Sequence, residues 1–209
     1  MSDALSYLVK ARPEAMGHYF AFLKDCGTRL DPKTRALISV ITKVDAQTER
    51  GFRQYLGRAL REGCSPAEVL DALLMAFPTL GLAKIVWAVD IILALDLPEF
   101  QPGALGAAGS WHDVMPAGEL KVGEVRRTEC DARGLFVHRA SRARYRVYDS
   151  RCPHQTTDIP HLALDGTTLT CPKHGWAFDI RSGACIAKGT SGLRQWESKV
   201  EGGRLLAYW

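Results

Sequence analysis

The stretch CPKHGWAF, from Cys171 to Phe178, holds a thiol and an imidazole three residues apart, at Cys171 and His174. It follows the segment TTLT, whose β-branched residues predict a strand. A second stretch, RCPHQTTD from Arg151 to Asp158, offers another cysteine and histidine two residues apart. Each stretch therefore presents a metal-ligating pair in a loop after a predicted strand, where backbone freedom lets side chains converge.

Together the two stretches form the pattern Cys-x-His, sixteen residues, Cys-x-x-His, made by Cys152, His154, Cys171 and His174. Two thiolates and two imidazoles suit a tetrahedral zinc ion, and they equally suit a [2Fe-2S] cluster whose irons have different ligands. A fold without metal is a third alternative, but four such ligands at matched spacing rarely arise from packing alone. His161 lies outside this spacing and is interpreted as a solvated loop histidine.

The segments around these pairs predict a small antiparallel β domain. Each segment is short, rich in β-branched or aromatic residues, and bounded by turns that contain glycine or aspartate. The predicted strands are LFVHRA, RYRVYDS, TTLTCP and RLLAYW, and the predicted turns are DARG, LDGTT, RSGA and EGGR.

The first part of the chain has a different period, because its apolar residues recur at helical spacing from Asp3 to Leu95. Asp31 followed by Pro32 predicts one helix start, and Ser65 with Glu68 predicts another that begins with a capping box. We expect about five helices in this part of the chain.

The chain is therefore predicted to be an α+β protein of two domains. An all-α domain is expected at residues 1–97 and an all-β domain of antiparallel sheets at residues 111–209. Residues 98–110 are rich in proline, glycine and alanine without a sustained period, which is the composition of a linker.

Composition and charge exclude several classes of protein. The N-terminus MSDALSYLVK lacks the apolar core of a secretory signal, and the most apolar run, Ile85 to Leu95, is too short to span a bilayer. The net charge of +4 arises entirely after Phe100 and forms no cluster of basic and aromatic residues. We expect a cytoplasmic protein that binds neither membrane nor nucleic acid, with cysteines that are thiols or ligands.

The residues CPH and CPKHGW, with their separation and the following HGWAFDIRSG, resemble the Rieske iron-sulfur motif over residues 111–209. The resemblance implies a [2Fe-2S] cluster in which Cys152 and Cys171 bind one iron and His154 and His174 bind the other. The flanking residues are similar to the short ferredoxin-type Rieske proteins that supply electrons to oxygenases. The partners expected from this likeness are a flavin-dependent reductase and a terminal oxygenase.

Two departures from the respiratory Rieske proteins bear on the reduction potential. Those proteins carry a disulfide between the two loops, and this sequence has Thr157 and Lys173 at the corresponding places. High-potential members also carry a serine and a tyrosine after the second histidine, where this sequence has Trp176 and Phe178. Neither replacement offers a hydroxyl to the cluster, so the resemblance implies a low-potential centre that donates electrons.

The helical part resembles the carboxymuconolactone decarboxylase and AhpD-like family over Leu30 to Leu95, chiefly in ALREGCSPAEVLDAL. Peroxidases of that family use a Cys-x-x-Cys pair with a histidine, and the corresponding positions here hold Glu49, Phe52 and Tyr55. The thiol chemistry is absent, and Cys26 and Cys64 are interpreted as small apolar fillers. We predict no catalytic residue; the likeness implies a homo-oligomer, trimer or hexamer, assembled through this domain.

The leading hypothesis is electron transfer by a low-potential Rieske ferredoxin between a reductase and an oxygenase. An alternative is an enzyme with decarboxylase-like or redox activity in the helical domain, coupled to the cluster, with Glu49 and Tyr55 as its candidate residues. A third is a binding module stabilised by zinc. A polar cavity at Glu49 would favour the enzyme, whereas dry packing there would oppose it.

Overall fold

A computed structural model describes residues 3–209 and shows a helical part followed by a β part. Residues 3–209 contain six α-helices, one more than the sequence predicted: α1 (Asp3–Ala11), α2 (Pro13–Asp25), α3 (Pro32–Asp45), α4 (Glu49–Arg61), α5 (Pro66–Leu80) and α6 (Leu82–Ala94). Proline interrupts the helix at Pro13, because the residue before a proline is pushed out of the helical region, and Arg12 has φ −139°.

The predicted helix starts are confirmed by their hydrogen bonds. The Asp31 side chain accepts a hydrogen bond of 3.0 Å from the backbone N–H of Thr34. The Ser65 hydroxyl accepts one of 3.1 Å from the Glu68 N–H, while the Glu68 carboxylate accepts one of 2.6 Å from the Ser65 N–H. These reciprocal bonds form the capping box and fix where α5 begins.

The helical core lies among α3, α4, α5 and α6. Helix α4 contributes Phe52 and Leu56, both fully buried, and the Phe52 ring packs against Trp87 of α6 with ring centroids 5.8 Å apart. The chain after α6 stays attached to this core, since Leu97 and Phe100 are buried in it. Residues 98–104 form two short 3₁₀ helices, Pro98–Phe100 and Pro102–Ala104.

The β part consists of two antiparallel sheets. The described chain has ten strands: β1 (Trp111–Pro116), β2 (Val125–Cys130), β3 (Arg133–Arg139), β4 (Tyr145–Asp149), β5 (Leu164–Asp165), β6 (Thr168–Thr170), β7 (Ala177–Asp179), β8 (Ala184–Ala187), β9 (Gln195–Glu201) and β10 (Arg204–Tyr208). The larger sheet has the order β1-β10-β9-β4-β3-β2, and the smaller has the order β5-β6-β7-β8. The predicted fold class is therefore confirmed.

The turn EGGR shows how local sequence sets the strand register. Gly202 and Gly203 have φ of +56° and +79°. Two positive φ angles in a two-residue turn match the right-handed twist of a hairpin, and glycine adopts them without steric cost. Strand β9 therefore returns directly as β10, with Glu201 opposite Arg204.

Within residues 3–209, no helix combines the length and the apolar character that crossing a membrane requires.

Candidate metal centre

The first loop, Arg151 to Asp158, is a closed turn after β4. Its ends are bridged between Arg151 and Asp158. Inside it, the Cys152 N–H donates to the Thr157 carbonyl at 2.8 Å, and the Thr156 N–H donates to the Cys152 carbonyl at 2.9 Å. These bonds place Cys152 at the base of the loop and carry His154 to its tip.

The second loop, Cys171 to Trp176, has a similar closure between β6 and β7. The Cys171 N–H donates to the Trp176 carbonyl at 2.8 Å, and the Gly175 N–H donates to the Cys171 carbonyl at the same distance. Gly175 has φ +67°, a conformation that glycine adopts easily. His174 precedes this glycine, so the turn presents its ring beside the first loop.

The structure brings the two histidines together. Their Nδ1 atoms lie 3.2 Å apart, and their rings meet edge to face with centroids 4.5 Å apart. Burial, with the nearby charge of His174, lowers the pKa of His154 to about 4. Burial also lowers the pKa of His174, with smaller contributions from Arg50 and Lys173. Both rings are therefore neutral near pH 7, which is the form that binds metal.

The two cysteines form a second pair in the apolar interior. Cys152 and Cys171 are almost fully buried, in the same core as Phe178 and Leu169. Because the Cys171 thiolate accepts a hydrogen bond from Cys152, the pKa of Cys171 is lowered to about 6. The same contact, together with burial, raises the pKa of Cys152. The thiols therefore lie close enough to share one proton.

The four predicted ligands thus meet as two pairs rather than as one group. In the described part of the chain, no set of three or more His, Cys, Asp or Glu side chains is arranged to hold one metal ion. A sulfur pair and a nitrogen pair on neighbouring loops fit a two-iron cluster with thiolate ligands on one iron and imidazole ligands on the other.

Trp176 covers the first histidine. Its indole stacks on the His154 ring with centroids 4.8 Å apart and planes 9° from parallel. A Cβ atom at Gly189 would overlap the Trp176 ring, so this glycine allows the indole to lie where it does. Phe178 is fully buried in the core that holds the cysteines. The sequence analysis singled out Trp176 and Phe178 because neither side chain carries a hydroxyl group. It did not predict that Trp176 stacks on His154.

The first loop also contacts the helical domain. The Arg61 guanidinium of α4 donates a hydrogen bond of 2.8 Å from Nη1 to the Pro153 carbonyl. One turn earlier, a Cβ atom on Gly57 would meet Thr156 Cγ2 at 3.2 Å. Helix α4 thus packs closely against the loop that carries Cys152 and His154, a contact that no sequence motif predicted.

A second set of contacts joins the domains beside this loop. Arg151 donates to the carbonyls of Leu95 and Asp96, at 2.9 and 2.8 Å. Buried Arg133 pairs with Glu99 at 3.1 Å. These charged side chains lie where residues 95–99 meet the β domain. The interface between the domains therefore includes polar as well as apolar contacts.

Gln155 is a further residue that sequence reasoning missed. It lies in the first loop next to His154, is almost fully buried, and its Nε2 finds no hydrogen-bond partner within residues 3–209. An unpaired buried amide is costly, so the position of Gln155 next to His154 calls for an explanation. Its place inside the motif RCPHQTTD was the only signal in the sequence.

The candidate residues of the helical alternative do not form one site. Glu49 is largely exposed and pairs with Arg53 at 2.8 Å, while Phe52 is in the core. Tyr55 lines a cavity that is shared with the β domain. Glu49 does not line that cavity, so it is not the polar pocket at Glu49 that would favour the enzyme.

The two other cysteines of this domain differ from each other. Cys64 is buried, and burial raises the pKa of its thiol, as expected of an apolar filler. Cys26 is exposed at the end of α2, so its interpretation as a filler is wrong. The helix α2 has no buried residue against which this thiol could pack.

Comparison with known proteins matches each part of the chain to a family. A family model for the Rieske [2Fe-2S] domain matches residues 110–197, and one for the carboxymuconolactone decarboxylase family matches residues 13–94. The ferredoxin component of the alkene monooxygenase system of Xanthobacter autotrophicus is 40% identical over 65 residues, which cover 30% of this chain and 52% of that protein. Ferredoxin CarAc of Metapseudomonas resinovorans is 32% identical over 74 residues, which cover 35% of this chain and 68% of that protein.

Among solved structures, the complex of reduced oxygenase and oxidized ferredoxin in carbazole 1,9a-dioxygenase contains a similar chain. It is 27% identical, with a TM-score of 0.37, and the match covers 46% of this chain and 91% of that chain. The chain therefore spans about half the length of the alkene monooxygenase ferredoxin and most of the matched chain in that complex.

The match of the β part to the Rieske model defines an iron-sulfur protein. The chain belongs to the Rieske [2Fe-2S] family, and its helical domain is that of the carboxymuconolactone decarboxylase family. The cofactor of the β domain is a [2Fe-2S] cluster.

Proposed function

We propose that this chain transfers single electrons, with Cys152 and Cys171 binding one iron and His154 and His174 the other. The observation that supports this most is the presence of a sulfur pair and an Nδ1 pair on adjoining loops. The chemistry supplied by a bound cluster of this type is acceptance and release of one electron, between net charges of zero and minus one.

The protein's own side chains set the route of that electron. The thiols lie in an apolar core, whereas both imidazoles are half-buried at the loop tips. The Trp176 ring covers His154, which also faces a cavity under α4. We therefore assign entry and exit of the electron to the edge of His174.

The side chains near the cluster support a low reduction potential. Trp176 and Phe178 present no hydroxyl group, and hydroxyl hydrogen bonds to cluster sulfur raise the potential by stabilising the reduced state. A low potential suits a donor that receives electrons from a flavin-dependent reductase and passes them to a terminal oxygenase. In support, part of this chain is similar to the ferredoxin component of an alkene monooxygenase system.

We further propose that the helical domain assembles copies of this chain into a trimer or hexamer. Helices α5 and α6 leave large apolar side chains exposed, among them Met75, Leu82 and Leu93 at 83%, 62% and 65%. Helix α2 has no buried residue at all, although it carries Tyr19 and Phe22. Apolar surface of this extent is typical of an interface between subunits.

The test of the proposed function is electron paramagnetic resonance of the dithionite-reduced protein at low temperature, with visible absorption of the oxidised form. We expect a rhombic signal of low average g, as mixed sulfur and nitrogen ligation produces. Cys171→Ser and His174→Gln should abolish it. Matched controls are Cys26→Ser and His161→Gln, which change an exposed cysteine and an exposed histidine outside the two ligand pairs.

A colourless protein with zinc and no inorganic sulfide would overturn the proposal. So would retention of the full signal in Cys171→Ser. If the signal is present, rapid mixing with a chemically reduced flavin reductase and then with an oxygenase tests the direction of transfer.

A further inference from the structure

The cavity under α4 has walls from both domains. It measures about 330 Å³. Helix α4 contributes Gln54, Tyr55, Arg58 and Arg61, and Glu62 follows directly after the helix. The β domain contributes Pro153, His154, Trp176, Thr190 and Ser191. Its volume is near the lower end of the range for small-molecule sites, so it suits a molecule the size of one substituted ring.

The charges on its walls favour an anion. Two arginines, Arg58 and Arg61, line the cavity, and Glu62 is the single acidic side chain among its lining residues. The closest approach of Arg58 to Glu62 is 3.7 Å, which is too long for a good hydrogen bond. Arg61 gives one of its five N–H donors to the Pro153 carbonyl. Burial lowers the pKa of Arg61, and the nearby Arg58 adds to this, so a negative partner would relieve both effects.

The remaining walls suit an organic body attached to that anion. Tyr55 and Trp176 provide aromatic surface, while Gln54, Thr190 and Ser191 provide polar groups. A carboxylate matches the fork of a guanidinium in shape as well as in charge.

We infer that this cavity binds a small organic carboxylate, and that its binding lowers the reduction potential of the cluster. His154 is both a cavity wall and a proposed ligand, so the bound anion lies beside the site that gains negative charge on reduction. The redox part of this inference rests on the proposed function, whereas the binding part does not. Because coupling is reciprocal, the carboxylate binds the oxidised protein more tightly than the reduced protein.

The test uses the full chain, loaded with its cluster, and benzoate as the probe. Calorimetric titration should show benzoate binding to the oxidised protein, and benzamide, which has the same shape without the charge, binding at least tenfold more weakly. Arg58→Gln removes a charged donor and should weaken benzoate binding about tenfold or more. Glu62→Gln removes the negative charge that repels a carboxylate, so it should strengthen benzoate binding.

Arg53→Gln is the matched control, because Arg53 lies on the same helix but does not line the cavity. It should leave benzoate affinity unchanged. A redox titration with saturating benzoate should show a lower potential, by about 59 mV if reduction weakens binding tenfold.

Equal affinity for benzoate and benzamide, or no loss in Arg58→Gln, would overturn the carboxylate site. Benzoate binding without any shift in potential would overturn the coupling alone. Absence of the resonance signal would instead contradict the proposed function, and the calorimetric comparison of benzoate with benzamide would still decide the site.

Discussion

Gly57 of α4 lies so close to Thr156 of the first loop that a Cβ atom at position 57 would stand 3.2 Å from Thr156 Cγ2. The Arg61 hydrogen bond to Pro153 lies one turn further along the same helix. The helical domain therefore contacts a loop that has Thr157 where, by resemblance, the respiratory Rieske proteins have a disulfide cysteine. We expect this packing to help hold the loop in place.

Enlarging Gly57 should loosen the first loop. We expect Gly57→Leu to destabilise the protein by about 1–3 kcal/mol, because the added atoms have no room against Thr156. Iron loss to a chelator should be faster than in the unaltered protein, and this rate is the measurement. Gly17→Leu is the control, since a Cβ atom at Gly17 of α2 meets nothing within 4 Å. Equal rates of iron loss from the two variants would contradict the inference that α4 supports this loop.

Gly189 should be required for the stacking of Trp176 on His154. A methyl group at this position overlaps the indole, so Gly189→Ala should move the ring and alter both the g values and the tryptophan fluorescence. Gly118→Ala provides the comparison, because its Cβ atom enters open space. Unchanged spectra in Gly189→Ala would show that the stacking does not influence the cluster.

Cys130 should make stability depend on pH in the alkaline range. Burial raises the pKa of this thiol to about 11, from the value of 9.0 for a thiol exposed to solvent. The folded state therefore holds the proton more tightly, and the stabilisation is complete below pH 9 and lost as the pH rises to about 11. Two pKa units correspond to at most about 3 kcal/mol.

The measurement is denaturant unfolding at pH 7.5 and pH 10.5 for the unaltered protein and for Cys130→Ala. We expect the decrease in unfolding free energy to be smaller in Cys130→Ala, because the variant has no thiol to titrate. The same decrease in both proteins would show that Cys130 does not contribute.

A charge on the exposed face of α5 should dissociate the proposed oligomer. Met75 is 83% exposed, and Met75→Glu would place a carboxylate in the apolar surface that we assign to subunit contacts. Light scattering after size-exclusion chromatography should show a trimer or hexamer for the unaltered protein and a smaller species for the variant. Val122→Glu, on an exposed residue of the β domain, should keep the larger mass. A monomeric unaltered protein would contradict the assembly.

The sequence alone predicted the parts of the fold that depend on nearby residues. The capping box of Ser65 and Glu68 and the turn at Gly202 involve residues at most three apart in sequence, so propensity and pattern were sufficient. The Cys-x-His and Cys-x-x-His motifs could also be recognised in the sequence, because each motif lies within one short turn. The division of the first helical segment at Pro13 was missed, since the apolar period continues across it.

Tertiary structure alone decided how the domains meet. Arg61 and Pro153 are 92 residues apart, and nothing local to either residue indicates that they touch. The same holds for the cavity shared by Tyr55 and His154, and for the close approach of Gly57 to Thr156. Local patterns specify which turns and helices form, whereas contacts between distant segments follow from how whole surfaces pack. Here that packing places a helical domain against the loop that carries two of the proposed cluster ligands, Cys152 and His154.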